Sequence, residues 1–207
     1  MKGLFLKDLY MIKAYCRMYL LIIVVFLAAS FFGESLFLIY YPCMMCGMIP
    51  VTLLAYDERS RFQQYSATLP VSRAQAVSEK YLIGLFAQVA VLLVTGLVQG
   101  FRMRADGSFS AERYAVMMLS LLLVSMLASS VPLPLIFKSG VEKGRIAYYV
   151  TIGIVCGSAV LFSEVFKSEE AVKLPSVSLF VLLAVIAAGI YALSWYLSVV
   201  FYKKREL

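Results

Sequence analysis

Between Met18 and Tyr202 the sequence is a succession of apolar runs, each close to the ~20 residues an α-helix needs to cross the hydrocarbon core of a bilayer. A membrane barrel would instead alternate apolar and polar residues over segments of about ten. The runs therefore predict transmembrane helices. With 62% hydrophobic residues, 15% charged residues and a mean hydropathy of +0.88, the chain is too apolar for a soluble domain of 207 residues. The expected fold class is all-α, one polytopic membrane domain over residues 1–207.

Six transmembrane helices are expected: Met18–Phe32, Leu36–Ala55, about Tyr81–Phe101, Tyr114–Phe137, Ile146–Phe166 and Ser176–Tyr202. Pro42 and Pro50 fall in the second span and should kink it or break its ends, because each removes a backbone donor. Pro132 and Pro134 lie near the end of the fourth. Arg102–Arg113, Lys138–Arg145 and Lys167–Pro175 read as polar loops. Residues 1–17 mix Leu4, Leu6, Leu9, Met11 and Ile12 with Lys2, Lys7, Lys13 and Arg17, the pattern of a basic amphipathic helix lying in the interface. Ala28-Ala29-Ser30 resembles a signal-peptide processing site, but it follows an unusually long basic lead, so cleavage is not expected.

An even number of spans puts both termini on one side. The segments on that side hold 14 of the 19 Lys and Arg, and the loops on the other side hold 5, so the positive-inside rule places both termini and the stretch Tyr56 to Leu82 in the cytoplasm. Arg102, Arg104 and Arg113 run against the bias. The net charge of +7 is thus topogenic. The basic residues form no stripe interleaved with stacking aromatics, and nucleic acid is not an expected partner.

Histidine is absent, which removes His-dependent general-base catalysis and His-ligated zinc. Paired intramembrane carboxylates are also missing, so an enzyme would have little to work with; no catalytic, cofactor or metal residues are expected. Cys43-Met-Met-Cys46 has the spacing and softness of a copper(I) site, but inside a membrane run and without a second cysteine pair it reads as packing. Glu34 and Glu164 fall near the outer ends of spans and read as water-facing. Gln88, Gln99, Ser125 and Ser129 either line a path for a substrate or bond neighbouring helices. Gly96-Leu-Val-Gln-Gly100 and Gly153-Ile-Val-Cys-Gly157 both match G-x-x-x-G, a close helix contact within the bundle or across a dimer.

Tyr56 to Leu82 is the longest stretch a bilayer would reject. Phe62, Tyr65 and Leu69 stand at i, i+3 and i+7 and predict a short amphipathic helix, ended by Leu69-Pro70. Ser72, three residues before Gln75, has capping-box spacing, so a new helix should start at Arg73 and run into the third span.

The pattern Asp57-Glu58, aromatic Phe62 and Tyr65, then Leu69-Pro70-Val71-Ser72-Arg73 and Lys80-Tyr81, resembles the first cytoplasmic loop of bacterial ATP-binding-cassette (ABC) permeases of the type-2 exporter class. It looks most like the compact branch that includes permeases for amphipathic toxin peptides and for lantibiotic immunity. The resemblance implies that residues 1–17 are a connecting helix and residues 56–80 a coupling loop, with a coupling helix docking on an ATPase through Asp57, Glu58, Arg59, Phe62, Tyr65, Leu69 and Pro70. Ala74, Gln75 and Ala76 depart from the basic residue and bulky aliphatic expected after Arg73. No G-x-x-x-x-G-K-[ST] phosphate loop occurs, so ATP and Mg would sit on a separate ATPase chain. The resemblance further implies a bacterial cytoplasmic membrane, a second permease subunit, contact with membrane lipid, and export of amphipathic or hydrophobic peptides. The alternative is a membrane scaffold or sensor that transports nothing.

Overall fold

The computed structural model describes residues 2–33, 35–62, 65, 72–107, 109–166 and 177–204. Helix α1 (Lys2–Tyr15) meets α2 (Arg17–Phe32) at Cys16, where the chain bends by 68°. The last carbonyls of α2 have no partner within the helix. Arg102, far along the chain, supplies one, donating to Ser30 O at 3.2 Å and to Gly33 O.

Helices α3 (Leu36–Cys46) and α4 (Met48–Arg59) together form an apolar span, Phe37–Arg59, the most enclosed in the bundle. The break between them falls at Gly47, and the cause is Pro50 in the first turn of α4, which has no N–H to give the Cys46 carbonyl and crowds it with its ring. Pro42 is carried inside α3 without ending it. After α4, Arg61 takes a left-handed conformation with φ of 53°.

Helix α5 (Arg73–Ala105) starts where its capping box predicts: Gln75 N–H donates to Ser72 Oγ at 3.2 Å, and Ser72 N–H to Gln75 Oε1 at 3.1 Å. Its 33 residues make a rod of about 50 Å, longer than the ~30 Å hydrocarbon core. Near its start, Arg73 donates to Lys203 O at 3.0 Å. The expected loop from Arg102 is instead a continuation of the helix to Ala105, because Arg102 is turned onto the end of α2 and also lies 3.7 Å from Asp106.

Helices α6 (Ala111–Ser130) and α7 (Pro132–Ser139) form a further span interrupted at Val131, with Pro132 at the first position of α7. The expected loop Lys138–Arg145 is also corrected: only Gly140 separates α7 from α8 (Val141–Phe166), so the charges of Glu142, Lys143 and Arg145 project from the first turns of a helix. Gly140 makes the turn with φ of 91°. Gly144 lets α7 approach so closely that a Cβ there would lie 1.9 Å from Ile136 Cγ1. Helix α9 (Val177–Lys204) packs chiefly on α6, α7 and α5.

The largest core cluster lies at the end of the bundle that holds Tyr56 to Leu82, and includes Val51, Val77, Leu133, Ile136, Tyr148 and Tyr202. Beside it, buried polar bonds replace what hydrophobic drive cannot supply between helices in lipid. Tyr81 OH pairs with Ser194 Oγ at 2.8 Å and Ser198 Oγ at 2.7 Å, Tyr191 OH donates to Tyr81 O, and Ser194 Oγ donates to Ser130 O. Among the described residues there is no strand. Four stretches are long and apolar enough to cross a membrane, Phe37–Arg59, Arg73–Ala105, Ala111–Ser139 and Phe180–Lys204, and the bent α1–α2 pair makes a fifth if it counts as one. The chain is an all-helical membrane protein.

Candidate functional site

Three helices meet through charge at the end of the bundle that holds Tyr56 to Leu82. Asp57 on α4 accepts from Lys7 of α1 at 2.6 Å through Oδ1, and pairs with Lys80 of α5 at 2.6 Å through Oδ2. Lys80 also bonds Asp8 Oδ2 of α1, and Lys7 lies 3.2 Å from Asp8 Oδ1. The side chains of Asp8, Asp57 and Lys80 are only 0%, 6% and 5% exposed, so water screens them little. Burying such ions costs several kcal/mol each by general estimates, and only their mutual placement offsets it. The arrangement therefore holds α1, α4 and α5 in one relative position. Glu79, the preceding residue on α5, is buried as well, and its Oε1 has no hydrogen-bond partner among the described residues.

The same lysine reaches the loop. Lys7 Nζ sits 3.6 Å from the centroid of the Phe62 ring, a cation–π contact that seats the aromatic on α1. Tyr65 follows, its ring 6.1 Å from that of Phe62 and its side chain exposed. The loop's first aromatic is thus fixed to the charge cluster, while the second faces outward.

The residues singled out in the sequence are therefore divided. Asp57 points inward to the lysines. Glu58 accepts from the Val141 N–H at 3.0 Å and so caps α8. Arg59 is exposed and Phe62 half-buried. Leu69 and Pro70, and with them most of the expected amphipathic helix, lie outside the described residues. Helix α1 turns Leu4, Phe5, Met11 and Ile12 toward the protein together with the buried Asp8, and leaves Leu6, Leu9 and Tyr10 exposed.

Lys7 and Asp8 were not recognised in the sequence as site residues. The available signal was Asp8 itself, an acid four residues after Leu4 and four before Ile12, on the face that an amphipathic helix would bury.

Other candidates are resolved by their neighbours. Gln88 Nε2 donates to Ser125 O at 2.9 Å and Ser129 Oγ at 2.7 Å, and Gln99 Nε2 to Ser30 Oγ at 3.3 Å; these side chains bond helix to helix. Gly96 packs against Met118 and Tyr114 of α6, and Tyr114 OH donates to Gly96 O at 3.1 Å. Gly100 lies under the Tyr114 ring, so this G-x-x-x-G is used within the chain. Among the described residues, nothing lies within 4 Å of where a Cβ on Gly153 or Gly157 would stand. Cys43 and Cys46 are buried against Thr95 and the Ala87 carbonyl, and no metal-binding cluster occurs among the described residues. Glu34 and the side chain of Glu164 lie outside those described.

Residues 3–203 match the family described as ABC-2 family transporter protein. No curated protein and no solved structure matches the chain.

Proposed function

Because the chain belongs to the ABC-2 transporter family, a family of membrane transport components that work with an ABC ATPase, we propose that it is the permease subunit of an ATP-driven exporter. In this reading the spans number six: α2, α3–α4, α5, α6–α7, α8 and α9. Energy comes from a separate ATPase chain carrying ATP and Mg, which docks on the cytoplasmic loop after α4. The observation that carries the proposal is the seating of Phe62 on Lys7, with Tyr65 exposed beside it. A partner that moves this aromatic pair moves three helices, because Lys7 belongs to the buried cluster that joins them. Rigid-body motion of that kind is a common way to switch access across a membrane. The proposed substrate class, amphipathic or hydrophobic peptides leaving a bacterial cell, rests on the resemblance of residues 57–81.

Co-purification with the candidate ATPase tests the docking role. The double change Phe62→Asp, Tyr65→Asp should lower ATPase retention at least tenfold, the effect of losing about 1.4 kcal/mol, with helix content unchanged by circular dichroism. Normal ATP turnover stimulated by that folded variant would remove the coupling role. Failure of the wild-type chain to retain any ATPase would favour the scaffold reading.

A second permease subunit is proposed to pack on α8, where Gly153 and Gly157 are open and Val150 and Ile154 are exposed. Leucine at both glycines should shift the chain from dimer to monomer in light scattering while it remains folded. Leucine at Gly96, already filled by Met118, should instead reduce the folded yield. A dimer that tolerates both α8 changes would place the contact elsewhere.

A further inference from the structure

Beside the charge cluster, between the α1–α2 bend, the end of α4 and the α7–α8 turn, lies an open cleft of about 660 Å³. Its two walls differ in chemistry. On the α2 side Met18 and Tyr15 are 68% and 51% exposed, and Tyr15 is stacked on Tyr56 with ring centroids 4.1 Å apart. On the other side the cleft is lined by Arg59, from the end of α4, and by Lys143 and Arg145, from the first turns of α8. All three are exposed, and none has an ion pair or side-chain hydrogen bond among the described residues. The lining also holds two acids, Glu58, which accepts from the Val141 N–H, and Glu142, so the three cations leave it one positive charge in excess.

We infer that this cleft holds the headgroup of an anionic phospholipid, with its phosphate on the basic side and the upper part of its chains along Met18 and Tyr15. The location supports that occupant: the cleft opens where α1 turns by 68° into α2, the level at which an interfacial helix gives way to a membrane-entering one. A free phosphate is far smaller than the cleft and would leave the Tyr15 and Met18 wall in water. An acidic protein segment would satisfy the cations but has no use for an apolar wall that continues along α2. Each Lys or Arg near a membrane surface contributes about 1 kcal/mol toward anionic lipid, which is about fivefold in affinity. The inference does not depend on which protein docks at Phe62 and Tyr65.

The probe is phosphatidylglycerol in phosphatidylcholine vesicles. The full chain is reconstituted, and the lipids that stay bound after transfer to detergent are counted by native mass spectrometry. Wild type should retain phosphatidylglycerol well above its share of the vesicle. Lys143→Gln alone should lower the enrichment about fivefold, and Arg59→Gln, Lys143→Gln, Arg145→Gln together should bring it to the bulk ratio. Arg59→Lys, Arg145→Lys, and separately Lys203→Gln, Lys204→Gln outside the cleft, should leave it unchanged. Circular dichroism reports whether each variant folds, and the single exposed change at Lys143 keeps the test readable should the triple variant fail. Several results would overturn the inference: no enrichment in wild type, an equal loss in the Lys203, Lys204 variant, or displacement of the lipid by soluble glycerol phosphate. So would loss of ATPase binding in the triple variant with lipid enrichment intact, since the cleft would then be a protein surface.

Discussion

Lys80→Met is expected to destabilise the chain by about 3–5 kcal/mol, the usual result of removing one partner from a buried ion pair. Lys80 is the shared cation of Asp8 and Asp57, whose side chains are 0% and 6% exposed. Without it two carboxylates stay buried with only Lys7 between them, and Lys7 is itself 25% exposed and partly occupied by Phe62. Asp8→Asn in the same background should recover part of the loss, because it removes one of the two stranded charges. Contacting residues in one network show interaction energies of about 0.5–3 kcal/mol, and the cycle of Lys80→Met, Asp8→Asn and their double should fall in that range. Titration with dodecyl sulfate, followed by circular dichroism, measures each step. A loss below about 1 kcal/mol for Lys80→Met, the worth of an exposed pair, would mean that water reaches the cluster and that it does not lock α1 to α4 and α5.

Gly144→Ala should also destabilise, which is opposite to the helix-propensity effect. Within a helix, alanine is favoured over glycine by about 1 kcal/mol. At this position the new methyl group would stand 1.9 Å from Ile136 Cγ1, 2.9 Å from Cδ1 and 3.2 Å from Cβ. The nearest atom is attached directly to the Cβ of a β-branched residue, whose χ1 is strongly restricted in a helix, so rotation cannot clear the clash. Overpacking of this kind costs about 1–3 kcal/mol or more, and here it would push α7 from α8 at the turn that Glu58 caps. Ile136→Ala alone should cost about 2–5 kcal/mol by leaving a cavity. The two changes together should cost less than their sum, since each removes the problem the other creates. An unchanged or raised melting temperature for Gly144→Ala would show that α7 and α8 are not held this closely.

These two positions also show where sequence reasoning stops. Local chemistry was readable: Ser72 and Gln75 announced the start of α5 three residues apart, and Pro50 announced the break in the α3–α4 span. Apolar length identified four of the six expected spans, Leu36–Ala55, Tyr81–Phe101, Tyr114–Phe137 and Ser176–Tyr202. What misled was charge whose partner is distant in sequence. Arg102 looked like a loop residue because nothing near it suggests that its guanidinium ends on the carbonyls of Ser30 and Gly33. Lys138–Arg145 looked like a loop because Glu58, the acceptor that lets Val141 begin a helix, lies 83 positions away. The motif around Asp57 likewise does not show that its side chain lies with Lys7 and Lys80, 50 and 23 residues distant by their numbers. Periodicity finds the faces of helices; it does not say which polar residue on one face will meet which on another.

The two arginines near the ends of α5 have a mechanical consequence. Arg73 grips the last turn of α9 and Arg102 the last turn of α2, at opposite ends of a rod about 50 Å long. Sliding this rod along its axis in either direction would tear one grip from a carbonyl. Helix α5 is thus a single strut tied to α9 near one tip and to α2 near the other, so a displacement along its axis at the loop end is felt by both of those helices.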